Sequence, residues 1–217
     1  MNAATQAAWQ RLAGVDVSRE SLARLAAYVN LLRRWQARVN LIGPGTVDDI
    51  WTRHIADALQ LIALVEGDPG AIVDLGAGAG IPGLALAIAW PTEPPVFVHL
   101  IESNGKKAAF LREAVRVTGA RGQVHQARIE ALAPAGLAPR PRVVVGRALA
   151  PLTGLLGLAK PYVDNGAFCL FHKGQDVDDE LTESTKCWRI SHRLHPSRLP
   201  GGGSIVEVRE IARVAPS

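Results

Sequence analysis

Cysteine is scarce in this chain. Only Cys169 and Cys187 occur in 217 residues, too few for a disulfide framework, so a reducing compartment, the cytoplasm, is expected. No N-terminal run is apolar enough for a signal peptide or a membrane span, which removes a membrane from the expected partners. Internal repeats and low-complexity tracts are missing too, which argues against a solenoid or a disordered tail. Charge of one sign does not dominate either: 24 Lys and Arg face 20 Asp and Glu. The resulting pI near 9.4 suits an anionic partner, although an arginine-rich surface alone would give the same figure. The length allows one α/β domain with a small appendage and leaves no room for the second full domain of a typical dehydrogenase.

What the chain does have is a glycine-punctuated stretch from Ala71 to Gly83. Ala71 to Leu75 is a short apolar run carrying one carboxylate, Asp74, and reads as a buried strand. Gly76, Gly78, Gly80 and Gly83 follow it, and Leu84 to Ala89 reads as a helix. Such glycines adopt torsions closed to other residues and let a ligand lie against the main chain at a helix N-terminus. Gly78 to Gly83 matches the G-x-G-x-x-G dinucleotide fingerprint, with Glu102 spaced for a ribose hydroxyl. The register points elsewhere. The strand ends at Leu75 and the first turn glycine is Gly76, so Asp74 stands at the strand's mouth, where it would repel a pyrophosphate but suit a cation. S-adenosyl-L-methionine carries a sulfonium and an ammonium and no phosphate. It is the expected cofactor, with S-adenosyl-L-homocysteine as product.

Upstream, a short helix is expected around Thr5 to Leu12. Ser18 can cap a longer one whose stripe runs Leu22, Leu25, Ala26, Val29, Leu32, Trp35 and Val39, with Arg24, Arg33, Arg34 and Arg38 largely off it. Asn40 to Gly45 breaks that helix. Thr46 and Asp49 have capping-box spacing for a helix through Ile50, Trp51, Ile55, Leu59 and Ile62. Glu66 to Gly70 is a turn at which helical periodicity gives way to alternation of strands and helices. The expected division is therefore a helical region, 1–66, whose arginines could meet phosphate, and a cofactor domain, 67–217.

Further strands are expected at Val96 to Ile101, around Val124 and His125, at Val143 to Val145 and at Ala167 to Phe171. Helices are expected at Lys106 to Thr118, Leu149 to Ala159 and Val177 to Lys186, and two closing strands at Trp188 to Leu194 and Ser204 to Ile211. This order predicts a mostly parallel, doubly wound, Rossmann-like α/β sheet with one antiparallel strand at the end. Ligands bind such sheets at the carboxyl ends of the strands, where Asp74, Glu102, Glu130, Arg147 and Lys173 would stand.

Missing motifs narrow the chemistry. No Asn/Asp-Pro-Pro-aromatic cluster follows the fourth strand, where an adenine-amine methylase would carry one. Cys169 lies in an apolar strand and Cys187 beyond the main strands, which suits packing rather than nucleophilic attack. His192 and His195 near Cys187 are too few and too unevenly spaced for zinc, so no metal is expected. No acid–base dyad stands out either, which suits transfer to a nucleophile with no proton to lose.

Several segments together resemble one family. They are Asn40-Leu41, Trp51 to Leu59, Asp74 to Gly83, Glu102-Ser103 with Lys106-Lys107 and Phe110-Leu111, Arg128-Ile129-Glu130, Gly146-Arg147-Ala148 and Lys173-Gly174. The chain is similar over nearly its whole length to the bacterial 16S ribosomal RNA guanine-N7 methyltransferases, the G family of small-subunit RNA methylases, also called glucose-inhibited division protein B. The resemblance implies a class I S-adenosylmethionine-dependent fold with cofactor contacts from Asp74, Gly76, Gly78, Gly80, Ile81, Ile129, Glu130 and Arg147, and Glu102 at the ribose. It implies RNA contacts from Arg53, His54, Lys106, Lys107 and Lys173, with Arg147, Arg53 and His54 positioning the reactants rather than moving protons. The implied partner is 16S ribosomal RNA or a 30S assembly particle, met by a monomer, and the product is a methylated guanine near the decoding centre. Three positions depart from the family pattern: Ala58 and Gly146, where serine is usual, and the acidic closing strand with Glu207 and Glu210. A small-molecule methyltransferase and a non-enzymatic RNA-binding factor are the alternatives. The arginines of the N-terminal helices weigh against the first and the intact glycine loop against the second.

Overall fold

The computed structural model describes residues 9–91, 93 and 95–214. Seven strands form one sheet in the order β3-β2-β1-β4-β5-β7-β6. They are β1 (Ala71–Leu75), β2 (Phe97–Ile101), β3 (Gly122–His125), β4 (Pro141–Arg147), β5 (Phe168–Lys173), β6 (Trp188–Pro196) and β7 (Ser204–Arg213). The first five run parallel, while β7 is antiparallel to both β5 and β6. The sheet is thus the expected one. The chain winds outward from β1 to β3 and then returns to β4, so the strand order reverses between β1 and β4, and a ligand crevice belongs at their carboxyl ends. Every residue of β1 is buried, as an apolar run covered on both faces requires.

Among the described residues, the longer regular α-helices beside the sheet are α1 (Arg19–Gln36), α2 (Gly83–Ala89), α3 (Gly105–Thr118), α4 (Leu152–Val163) and α5 (Val177–Ser184). The Ser18 hydroxyl accepts from Ser21 N–H at 3.0 Å, the cap the sequence suggests. Helix α1 ends at Gln36, short of Arg38 and Val39, because the Gln36 amide turns onto the next loop, accepting from the N–H groups of Leu41 and Ile42 and donating to Ile42 O. Among the described residues, 9–13 are helical; the rest of the helix expected around Thr5 lies outside them.

The next helix departs from expectation. Thr46 does not cap it. Its hydroxyl donates to Gly43 O and meets the His54 ring, and Thr46 itself lies in a short 3-10 turn, Pro44–Thr46. The helix is composite: a π-helical turn Trp51–Ala56, one α-helical turn Asp57–Leu59 and a 3-10 stretch Gln60–Leu64. Such π-turns often mark functional segments. Helix α4 also starts later than expected, at Leu152, because Pro151 takes the cap position and the Glu180 carboxylate of α5 accepts the Leu152 N–H. Residues 148–150 are left as a loop.

The division at 66/67 separates kinds of element, not cores. Leu25, Tyr28, Leu32, Ile50, Ile55 and Leu59 pack in one continuous cluster with Ile72, Leu84, Phe110, Val143 and Leu170 of the sheet layer. Helix α1 is held to α3 at both ends: Arg24 donates to Thr118 O and Gly119 O, and Trp35 Nε1 to the Glu113 carboxylate. Leu32 is fully buried, so Leu32→Ala should cost about 2–5 kcal/mol. Since the core is shared, denaturant unfolding of that variant should remain a single transition reporting helix and sheet together; a separate early transition for residues 1–66 would contradict it.

Candidate active site

Two clefts open at the carboxyl ends of the strands. The first, about 340 Å³, is lined by Gly76, Gly78, Glu102, Lys107, Ile129 and Glu130, with Leu149 and Leu158 among its apolar walls. The second, about 360 Å³, lies between the composite helix and the β6–β7 hairpin and is lined by Arg53, His54, Asp57, Arg147, His172 and residues 199–203. Ala148 borders both. It is also the one described non-glycine residue with a positive φ, at 51°. A strained residue where two clefts meet is the kind of outlier that marks a functional site.

The glycine loop decides what the first cleft can hold. Ala77 N–H donates to Ile101 O at 2.9 Å, Gly78 N–H to Glu102 Oε2 at 2.9 Å, Gly80 N–H to Ala77 O at 2.6 Å and Gly83 N–H to Asp74 Oδ2 at 2.8 Å. A pyrophosphate loop needs such amides free. Here each has a partner, and a carboxylate takes the helix N-terminus where a phosphate would sit. Glu102 also accepts from Asn104 N–H at 2.7 Å, so each of its oxygens has made one bond and keeps a lone pair for a hydroxyl donor. With the apolar walls beside it, that set fits a ribose and a purine.

The individual glycines have different reasons. A side chain on Gly78 would meet only Gly76 O, at 3.7 Å, although its φ of +53° favours glycine. Gly80 is fixed by packing, since a Cβ there would lie 2.9 Å from that of Leu84. Ile81 is in the core, and neither it nor Gly80 nor Asp74 lines the cleft. Asp74 is buried beneath the loop with Oδ1 unpartnered. Its burial, aided by Glu102 and opposed by the Gly83 N–H, pushes the carboxyl up to about 7.

The second cleft rests on Asp57, a residue that sequence reading left inside a helix. Its Oδ2 lies 3.3 Å from Arg147 Nη2, its Oδ1 accepts from Gln60 Nε2 at 2.6 Å, and its backbone carbonyl is 2.9 Å from His172 Nε2. Gln60 in turn accepts from Arg198 N–H and approaches the Ser197 hydroxyl, tying in the β6–β7 hairpin. Arg147 also donates to Arg53 O at 2.9 Å, and its Nη1 is buried without a partner. Arg147 therefore braces the π-turn and lines the second cleft, not the first, where cofactor contact was expected.

The expected RNA contacts divide. Arg53 is free to meet a polyanion, its side chain 63% exposed and only loosely paired with Asp49 at 3.4 Å. His54 is buried; burial, then the Arg147 charge, lower it to about 4, so it is neutral near pH 7. Lys106 is exposed at the start of α3, whereas Lys107 lines the first cleft. Lys173 lines the second cleft, but its ammonium is already engaged, 2.6 Å from Glu180 and donating to Ala150 O, and so anchors the loop between the clefts. Burial pushes the Cys169 thiol far above its ordinary range, which removes it as a nucleophile. No metal-binding group of His, Cys, Asp or Glu occurs among the described residues. Of the departures, Gly146 leaves room for a serine, with Phe171 at ordinary contact, and Glu207 is buried, bonded to His195 and Arg209. Asp57, Gln60 and His172 were missed because a polar residue inside an apolar helix or at a strand end carries no local signal of its partner.

Sheet order and clefts together define the class: this is the fold of the class I S-adenosylmethionine-dependent methyltransferases. A crystal structure of MtNAS in complex with S-adenosylmethionine superposes with a TM-score of 0.56 at 17% identity, over 87% of this chain and 75% of that one. A Corynebacterium glutamicum protein matches with a TM-score of 0.53 at 15% identity, over 94% and 96%. The chain belongs to the rRNA small subunit methyltransferase G family, whose model matches residues 21–202. The curated ribosomal RNA small subunit methyltransferase G of Bradyrhizobium sp. ORS 278 is 51% identical over 93% of this chain and 90% of its own length. That of Rhodopseudomonas palustris BisB18 is 52% identical over 95% and 86%.

The Asp74 carboxyl gives a pH test of the loop. Its folded value, about 7, lies above the ordinary 3.8 of an unfolded chain, so its contribution to stability is fully present below about 3.8 and is lost as pH rises through about 7. The unfolding free energy of the wild type minus that of Asp74→Asn should therefore be larger at pH 4 than at pH 7.5 in denaturant titrations. A constant difference would contradict the shift.

Proposed function

We propose that this protein transfers a methyl group from S-adenosylmethionine to N7 of one guanine in small-subunit ribosomal RNA. Family membership supplies the enzyme class, the cofactor and the ribosomal RNA substrate. The atom methylated, 16S RNA within an assembling 30S particle, a monomeric enzyme and a cytoplasmic location are part of the proposal. The observation that carries it is the pair of clefts meeting at Ala148, one suited to a nucleoside and one braced by a neutralised arginine.

The first cleft would hold the cofactor, with Glu102 accepting from the ribose, Ile129 and Leu149 walling the purine, and Glu130 at the rim. The bound cofactor supplies a sulfonium methyl, an electrophile that needs no activation. The second cleft would receive a base turned out of its stack, as enzymes acting on bases in folded nucleic acid require. Within it no side chain is placed as an acid or base. His54 and His172 are held neutral by burial, Asp57 is taken up by Arg147 and Gln60, and Nη2 of Arg147 is taken up by Asp57 and Arg53 O. What remains is orientation of two reactants, which suits a nucleophile with no proton to lose. Arg53 and Lys106, both exposed, would meet phosphates outside the cleft.

The test is single-turnover methylation of small-subunit ribosomal RNA with labelled cofactor, with the modified nucleotide mapped and then replaced by 7-deazaguanosine. Methylation should vanish with that replacement. The chemical step should stay flat between about pH 6 and 9, the interval in which a histidine or cysteine base would titrate. Methylation of the 7-deaza substrate, or a tenfold rise following one ionisation, would overturn the assignment.

A further inference from the structure

Two histidines line the second cleft, and their hydrogen bonds fix which ring nitrogen carries the proton. Nε2 of His172 lies 2.9 Å from the backbone carbonyl of Asp57, a group that only accepts, so Nε2 is protonated. Nδ1 of the neutral ring is then a bare acceptor, and it is buried without a partner. His54 is also protonated at Nε2, by another route. The single hydroxyl proton of Thr46 goes to Gly43 O at 2.7 Å, so the 2.7 Å contact between Thr46 Oγ1 and His54 Nε2 requires the proton on the histidine. Its Nδ1 is likewise a bare acceptor. Burial keeps both rings neutral. Beside them is one donor without a partner, Nη1 of Arg147. Arg147 and His172 are register neighbours on the parallel strands β4 and β5, so their side chains leave the same face of the sheet.

We infer that His54, His172 and Arg147 read the base, the two histidine Nδ1 atoms accepting from guanine N1–H and the 2-amino group while Arg147 Nη1 donates to O6. Guanine alone among the four bases presents two adjacent donors followed by an acceptor on its pairing edge. Adenine offers no donor at N1, cytosine carries two acceptors, and uracil has a single donor between two acceptors. Reading that edge leaves N7, on the opposite side of the ring, free to react. The arrangement also favours the reaction. Attack by N7 places positive charge on the purine and makes N1–H and the amine better donors, so neutral acceptors hold the charged state more tightly than the substrate. The Arg147 cation would oppose that charge, but Asp57 balances it at 3.3 Å.

This inference rests on the guanine reading above, and the experiment separates the two. With the unmodified enzyme, the mapped target guanosine is replaced by inosine, which lacks only the 2-amino group, and by 2-aminopurine riboside, which lacks O6 and N1–H. Inosine should lower kcat/KM about tenfold, the equivalent of one lost hydrogen bond of roughly 1.4 kcal/mol. The 2-aminopurine substrate should be at least a hundredfold worse. Inosine is then tested with His54→Leu and His172→Leu, with His172→Asn as a second variant should the leucine fail to fold. In one histidine position the guanosine-to-inosine ratio should fall to within about twofold of unity, because the amine has lost its acceptor. An unmodified enzyme that methylates guanosine and inosine equally would overturn the inference while leaving the function intact, as would histidine variants that all keep the wild-type ratio. No methylation of guanosine by the unmodified enzyme would instead sink the function itself.

Discussion

The contact of Asp57 with Arg147 is the constraint on which the second cleft depends. It joins a helix that packs on one face of the sheet to the carboxyl end of a central strand, across a space that would otherwise open to solvent. A carboxylate and a guanidinium brought this far from water need their remaining hydrogen-bonding groups satisfied. Gln60 meets the other Asp57 oxygen and Arg53 O meets the same guanidinium nitrogen, leaving Arg147 Nη1 as the unspent donor. The π-helical turn is tied into this arrangement. It carries Arg53 and His54 immediately before Asp57, and Arg147 holds the carbonyl of Arg53 from the strand side.

Around that contact, charge is arranged to select the ligands. Beneath the glycine loop, a carboxylate occupies the helix terminus that phosphate-binding folds leave open, and the loop amides bond inward. The same fold that elsewhere binds dinucleotides is thereby closed to pyrophosphate and left open to a nucleoside bearing a cation. The Lys173–Glu180 pair works on the other wall. By holding Ala150 O and the Leu152 N–H it delays the start of α4 and keeps residues 148–150 between the clefts.

Much of this was legible in the sequence. The alternation of strands and helices, the glycine loop, the Ser18 cap and the placing of Glu102 at a strand end all follow from local pattern, because periodicity and turn chemistry are local properties. The register argument that set S-adenosylmethionine above a dinucleotide rested on Asp74 preceding Gly76. Its physical basis, the inward-bonded amides, became visible only in three dimensions. The pairing of Lys173 was hidden for the opposite reason: a lysine at a strand end looks solvated unless its partner, here on the following helix, is known. Asp57, Gln60 and His172 act through contacts far apart in sequence, Asp57 with His172 across 115 positions, and nothing near them announces those partners.

The most direct test of this picture is a double-mutant cycle on Asp57→Asn and Arg147→Gln, read as the dissociation constant for small-subunit ribosomal RNA, with cofactor affinity measured on the same preparations. If the pair organises the second cleft, each single change should weaken RNA binding and the double should be little worse than either. That is a coupling of about 1–3 kcal/mol, with cofactor affinity moving by less than about twofold. Losses that add to within about 0.5 kcal/mol, or a cofactor affinity that falls with the RNA affinity, would contradict it.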